Sequence, residues 1–441
     1  GDGLHPNSEG HKKIFEIINL LEPVTGKTQR RPPLLQFSQI VKNRVKYKFS
    51  FLAFINVITE KRVRDFEGRK MSEHIFRAYD IRGVFNRDLS VDLMARIGAA
   101  AASYAGENFI VGCDVRGSSP ALKAALSAGI MSAGFNVYDI GVIPIGAAFF
   151  AVLELKKGDL AYVTASHLPP EWNGVKFCDS SGYYYEPDDI YMIRDLVISG
   201  NYRRAGWDAA GRVEDVEILE SYVEFLEDLT RGGELKVVLD LGNGATALVA
   251  PRIYRDLGFK VFTLFDDIHP GFPGRGSEPT PEALGRLCRE VKRREADLGM
   301  AFDGDGDRVV FVDDRGRPLL PEQAAIVLLE SWGVKGPVVI SVDASKILED
   351  YVRSRGGKII RIPVGHTFMV RTVTEKKALL GVEHSGHFAI GGFSRFDDGI
   401  LASLKFCEAV VSLGKPISEA VSYTHLRAHE TSLHLVCRLL L

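Results

Sequence analysis

Asp303, Asp305 and Asp307 stand at alternate positions in the run Asp303-Gly304-Asp305-Gly306-Asp307-Arg308. In extended backbone alternate residues share a face, so three carboxylates at this spacing converge and repel unless a cation lies between them. The two glycines let the chain bend around such an ion, and a set of hard oxygen ligands favours magnesium or calcium. An EF-hand calcium loop would need glycine where Arg308 stands, and a solvated acidic turn is the remaining alternative. A second segment, Thr164-Ala165-Ser166-His167-Leu168-Pro169-Pro170-Glu171-Trp172-Asn173-Gly174-Val175-Lys176, follows an apolar run ending at Val163. It reads as a strand-end loop, stiffened by Pro169-Pro170, that either displays Ser166 as a nucleophile or is a structured turn with an inert serine. The third segment, Gly381-Val382-Glu383-His384-Ser385-Gly386-His387, offers a carboxylate, a hydroxyl and an imidazole at alternating positions. Such a set can read sugar hydroxyls, although a lone histidine is more often structural. A serine able to hold a phosphoryl group, a hard-cation site to neutralise it and a hydroxyl-reading loop together specify phosphoryl transfer on a sugar.

These loops need rigid elements behind them. From Met71 onward short β-branched runs alternate with alanine- and leucine-rich helical patterns, punctuated by Gly and Pro. The first unit is a strand at Phe109–Cys113, a helix after Ser118-Ser119-Pro120 and a strand near Asn136–Ile140. The second has strands at Lys236–Asp240 and Lys260–Leu264, and the apolar segment Leu298–Phe302 leads into the three aspartates. The third has Val338–Val342, a helix from Ala344 and a strand at Lys358–Ile362. Three β-α-β units in series predict three α/β domains with mixed or mostly parallel sheets.

Composition narrows the partner. With 55 basic against 57 acidic residues the formal charge is −2, which gives no electrostatic case for nucleic acid or an anionic membrane. The longest apolar run, Phe49–Ile58, is about half of the roughly 20 residues that span a bilayer, and no secretory signal opens the chain. Cys113, Cys178, Cys288, Cys407 and Cys437 are scattered and odd in number, as expected of reduced thiols in a cytoplasmic protein.

From about Glu73 to Val421 the chain resembles the α-D-phosphohexomutase family, especially its phosphomannomutase/phosphoglucomutase branch. The resemblance rests on Phe76-Arg77-Ala78-Tyr79-Asp80-Ile81-Arg82-Gly83, the serine loop, the three-aspartate loop, Gly365-His366-Thr367, the Glu383 to His387 loop and Phe396-Asp397-Asp398-Gly399, in that order. It implies Ser166 as a phosphoserine, with Asp303, Asp305, Asp307 and an oxygen on Ser166 holding Mg2+. It implies Lys176 and His387 in proton transfer, Arg82 and Arg308 at the reacting phosphate, and Tyr79, Gly365, His366, Glu383 and Ser385 at the sugar. For Tyr79 and Arg82, core packing and a surface ion pair are the plainer readings. The implied reaction exchanges the phosphoryl group between the 1- and 6-positions of mannose or glucose phosphate through a hexose 1,6-bisphosphate, which also serves as activator. Phosphoglucosamine mutase is the neighbouring alternative, and a non-catalytic fragment that binds sugar phosphate is another.

The resemblance implies a division into domains at 71–210 with the phosphoserine loop, 211–316 with the metal loop and 317–421 with the sugar loop. Leu168 stands where the family usually carries asparagine. The family's fourth domain, with its Arg-x-Ser-Gly-Thr phosphate loop, is expected to be absent. Residues 1–70 read as a foreign or disordered leader whose Asp2 and His5 resemble the end of a GDSL-type esterase, and 422–441 as an artefactual tail similar to translated adapter sequence.

Overall fold

The structure is a computed structural model and describes residues 73–392 and 395–421. The expected leader and tail lie outside the described residues, as does Cys437.

Strands of three to seven residues, most of them apolar runs, build three mixed sheets. In the first, β1 (Ile81–Val84), β2 (Phe109–Cys113), β3 (Val137–Val142), β4 (Asp159–Val163), β5 (Trp172–Cys178) and β6 (Val213–Asp215) lie in the order β1-β5-β4-β2-β3-β6. Here β2 is parallel to β3 and β4, and β5 runs antiparallel to both β4 and β1. In the second, β7 (Lys236–Asp240), β8 (Lys260–Leu264), β9 (Leu298–Phe302) and β10 (Val309–Val312) lie in the order β10-β9-β7-β8, with only the β9–β10 pair antiparallel. The third repeats this plan with β11 (Val338–Ser341), β12 (Ile359–Ile362), β13 (Leu380–Val382) and β14 (Phe388–Ile390), ordered β12-β11-β13-β14 with only β13–β14 antiparallel. Every residue of β2 is buried, which is why a central parallel strand reads as one unbroken apolar run.

Three sequence expectations need correction. Residues 172–176 are not loop: they open β5, whose register sets Lys176 opposite Tyr162. This strand is buried on both faces, with Asn173 and Lys176 inside, so the alternation that marks a half-buried strand is missing. The three aspartates lie in a bend rather than extended backbone, turned by Gly306 at φ 86. Likewise Glu383 to His387 form the turn between β13 and β14, which leaves Ser385 exposed while Glu383 and His387 are buried. In addition the first sheet runs past residue 210, because β6 pairs in parallel with β3.

Close packing explains the small residues of the first domain. The helices Val91–Ala105 and Ser119–Ser132 cross at Gly98 and Gly129. A Cβ on Gly129 would stand 1.9 Å from the Ala95 carbonyl oxygen, and one on Gly98 would stand 2.2 Å from that of Leu126. Backbone cannot yield as a flexible side chain would. Gly129→Ala is therefore expected to cost about 1–3 kcal/mol, read as a lower urea midpoint with an unchanged m-value.

One apolar core joins the three domains. Its central piece is the helix Gly399–Leu413, buried on nearly all sides, as an all-round apolar helix must be. Phe406 stacks on Phe311 of β10 with centroids 4.0 Å apart, and Ser403 accepts the Tyr254 hydroxyl at 2.6 Å. Asp398 caps this helix through the amides of Ile400 and Leu401 and accepts the Tyr222 hydroxyl at 2.8 Å. The ends of β4, β9 and β13 are thereby held around one space.

Candidate active site

The serine loop follows β4, and its conformation is enforced rather than relaxed. Ser166 has φ 50, a left-handed conformation that costs a non-glycine residue on the order of 1 kcal/mol or more. The fully buried Arg116, just beyond the end of β2, over-determines it. Its guanidinium donates to the carbonyls of Ser166 (2.6 Å), Leu168 (2.6 Å), Pro169 (2.7 Å) and Trp172 (3.2 Å) and to Asp114 (3.0 Å). Ser277 donates to the carbonyls of His167 and Leu168, and the Ser166 amide donates to Thr164 Oγ1 at 2.8 Å. Arg116→Met would leave buried Asp114 without its countercharge and remove the guanidinium donor from four carbonyls. We expect a stability loss of about 3–5 kcal/mol, seen as an earlier thermal transition with early loss of order in the serine loop by hydrogen exchange.

The Ser166 hydroxyl donates to Asp303 Oδ2 at 2.8 Å and lies 3.3 Å from His167 Nδ1. Asp303 follows β9, whose last carbonyl, that of Phe302, accepts from Arg275, itself paired with buried Asp240 at 2.8 Å. Asp303 Oδ1 accepts the amides of Gly306 (3.0 Å) and Arg308 (3.2 Å), which closes the bend. Lys176, delivered from β5, sits 2.6 Å from Asp307 and 3.2 Å from Asp305.

The electrostatics fit a cation. Asp303, Asp305 and Asp307 are buried, and each can offer an oxygen within 4.8 Å of the others. Among the described residues Asp305 Oδ1 and Asp307 Oδ1 accept no hydrogen bond, although buried carboxylate oxygens normally do. Burial and the two neighbouring carboxylates push the Asp303 carboxyl well above its usual range. Burial would also raise Asp307, but Lys176 and His387 outweigh it and hold that group low. Oxygen-only donors with two orphaned lone-pair sites suit a hard divalent cation beside Ser166.

Above this floor lies a cavity of about 230 Å³ lined by Arg77, Tyr79, Asp80, Arg82, Ser166, Lys176, Asp307, Arg308, His366 and His387. The predicted Tyr79, Arg82, Lys176, Arg308, His366 and His387 therefore meet at Ser166, whereas Gly365, Glu383 and Ser385 stand outside its lining. Glu383 Oε1 instead accepts the Gly365 amide at 2.7 Å, and Ser385 donates to Glu383 Oε2 at 3.4 Å. Gly365, at φ 143, packs against Tyr79, which meets Phe368 edge-on at 5.7 Å. Arg82 pairs with Asp80 at 2.6 Å in a nearly buried contact rather than on the surface.

Sequence reasoning missed Arg116, Asp114, Thr164, Arg275 and any role for Asp397. Asp114 and Arg116 carried a usable signal, since charged residues just past a parallel strand's carboxyl end sit where such sheets build sites. Among the described residues no helix is long and apolar enough to cross a membrane.

Comparison with known proteins gives a consistent result. Family models described as phosphoglucomutase/phosphomannomutase alpha/beta/alpha domains I, II and III match residues 73–204, 217–316 and 321–425. The chain is 36% identical over 350 residues to "Probable phosphoglucosamine mutase" of Pyrococcus horikoshii, covering 78% of this chain and 77% of that protein. It is 31% identical over 365 residues to "Phosphoglucomutase/phosphomannomutase" of Thermococcus kodakarensis, covering 79% of each. A crystal structure of a phosphoglucomutase/phosphomannomutase family protein from Burkholderia thailandensis is similar with a TM-score of 0.73 at 29% identity, over 79% of each chain.

Proposed function

We propose, for a chain that belongs to the phosphoglucomutase/phosphomannomutase family of the α-D-phosphohexomutase superfamily, a phosphoryl exchange between the 1- and 6-positions of a hexose phosphate, carried by Ser166. The observation that carries this reading is the Ser166 hydroxyl 2.8 Å from Asp303, at the floor of a cavity walled by three arginines.

With Ser166 phosphorylated, a sugar hydroxyl attacks phosphorus, and the P–Oγ bond breaks with its electron pair going to Oγ. The hydroxyl proton passes to His387 Nε2, which accepts a hydrogen bond from Arg308 and so carries a lone pair. Lys176, kept charged by Asp305 and Asp307 against the effect of its burial, protonates the departing serine oxygen. Arg77, Arg82 and Arg308 face the phosphoryl oxygens, each well-aimed donor lowering the barrier by on the order of 3 kcal/mol. Asp303, Asp305 and Asp307, with an oxygen on Ser166, would hold Mg2+, which when bound offsets charge on the transferring group. The resulting hexose 1,6-bisphosphate turns around and returns its other phosphoryl group to Ser166. The same bisphosphate primes an unphosphorylated chain. Tyr79, His366 and the turn held by Gly365, Glu383 and Ser385 position the sugar.

Glucose and mannose phosphates are the first substrates to test. A glucosamine phosphate is the second reading, favoured by the 36% identity to a protein named as a probable phosphoglucosamine mutase. The test is a coupled assay of the three hexose 1-phosphates with magnesium and a trace of glucose 1,6-bisphosphate. Turnover of at least one supports the proposal. A folded chain inert toward all three contradicts it and favours a sugar-phosphate-binding role without catalysis.

A further inference from the structure

Asp397 belongs to the loop before the helix Gly399–Leu413 and is completely buried, yet nothing in the reaction above uses it. One oxygen, Oδ2, lies 2.5 Å from His387 Nδ1 and 3.2 Å from His366 Nδ1. The other, Oδ1, accepts the Tyr184 hydroxyl at 2.9 Å. The two imidazoles stack at 5.0 Å between centroids with planes 24° apart, and Tyr184 closes on His366 edge-on at 4.4 Å. On the far side of His387, Arg308 Nε donates to Nε2 at 2.9 Å. A guanidinium can only donate, so Nε2 must hold a lone pair, and the ring proton of a neutral His387 must sit on Nδ1, facing Asp397.

We propose that Asp397 is a positioning residue that fixes His387 as its Nδ1–H tautomer and locks both imidazoles against the cavity, leaving the His387 Nε2 lone pair for the sugar hydroxyl. Its catalytic consequence rests on the mutase reading of the pocket; the tautomer itself does not. A carboxylate behind an imidazole does this elsewhere by the same logic, since the group facing one ring nitrogen decides which nitrogen carries the proton. The three side chains could also be imagined gripping a metal ion. With its proton on Nδ1, His387 keeps a single ring lone pair, on Nε2, and that lone pair already accepts from Arg308.

Arg308 gives the arrangement a further property. It serves both as the donor capping Nε2 and as a lining residue of the cavity. A phosphate dianion is a stronger acceptor than an imidazole nitrogen. A bound sugar phosphate therefore draws Arg308 toward itself and exposes the base at the moment it is needed.

The experiment is a long-range proton–nitrogen spectrum of the full chain labelled with nitrogen-15 histidine, together with steady-state kinetics of Asp397→Asn. The parent should show a neutral His387 with a protonated Nδ1 and an acceptor Nε2. The variant should lose that single tautomer, and its kcat should fall by about 100-fold or more with KM within about threefold. A parent His387 protonated at Nε2 overturns the proposal, as does an Asp397→Asn enzyme that keeps its kcat. If the variant fails to fold, the parent spectrum decides alone. A parent with the Nδ1–H tautomer but no turnover of any hexose phosphate sinks the mutase reading and upholds the placement of Asp397.

Discussion

Ser166→Ala is expected to abolish turnover of hexose phosphate, with a loss on the order of 10⁶-fold, the scale seen when a serine that forms the covalent intermediate is removed. Alanine removes the oxygen that lies 2.8 Å from Asp303 at the floor of the cavity and that the phosphoryl group would bond to. The backbone should be untouched, because the loop is held through its carbonyls by Arg116 and Ser277 rather than through the serine side chain. Equal thermal transitions for parent and variant, with activity present only in the parent, is the predicted pair of results. A variant within tenfold of the parent would remove Ser166 from the mechanism.

Asp303→Asn separates stability from function in the opposite sense. Without a cation the parent buries three carboxylates around one lysine, and Asp303 bears the cost as a raised pKa. A carboxyl whose folded pKa is raised favours the folded state fully only below its unfolded pKa, and that advantage is lost as pH rises through the folded value. In chelator, then, the parent should lose stability as pH climbs above the ordinary carboxylate range. The asparagine variant, fixed in the neutral form with its Oδ1 still able to accept the Gly306 and Arg308 amides, should be flatter with pH and as stable or more so near neutrality. Adding magnesium reverses the order. At a concentration 100 times Kd a cation specific for the folded state contributes about 2.7 kcal/mol, and the parent should gain a higher Tm that the variant does not. The variant's turnover should fall by about 1,000-fold or more, in line with loss of one strong electrostatic stabiliser. A magnesium-dependent rise in Tm that survives Asp303→Asn would place the cation elsewhere.

Much of the fold could be read from the chain because its central strands are buried on both faces. Phe109–Cys113 and Lys236–Asp240 form strands with the bounds their apolar runs predict, and so does Lys260–Leu264, although it is a half-buried edge strand. The antiparallel strands were harder. In β5 the polar Asn173 and Lys176 are buried, so a pattern keyed to polarity reads the segment as loop. That error hid how Lys176 is aimed, since its approach to Asp305 and Asp307 depends on the register opposite Tyr162. The three aspartates were legible as a set that could hold a cation because their chemistry survives a wrong backbone conformation. Short ligands around a glycine converge in a bend as well as in a strand. By contrast, Arg116 and Asp397 act through contacts that span 50 residues in the first case and, through Tyr184, 213 in the second. No local spacing encodes such partners.

The most direct test of the central claim is the phosphorylation of Ser166 itself. The full chain is incubated with glucose 1,6-bisphosphate and magnesium, freed of small molecules, and mapped by peptide mass spectrometry before and after addition of hexose monophosphate. The account predicts a phosphoryl group on the peptide containing Ser166 that disappears when the sugar monophosphate arrives, with hexose bisphosphate appearing in solution. A chain that never acquires the group, or that holds it unchanged in the presence of glucose, mannose and glucosamine phosphates, would contradict phosphoryl transfer through this serine.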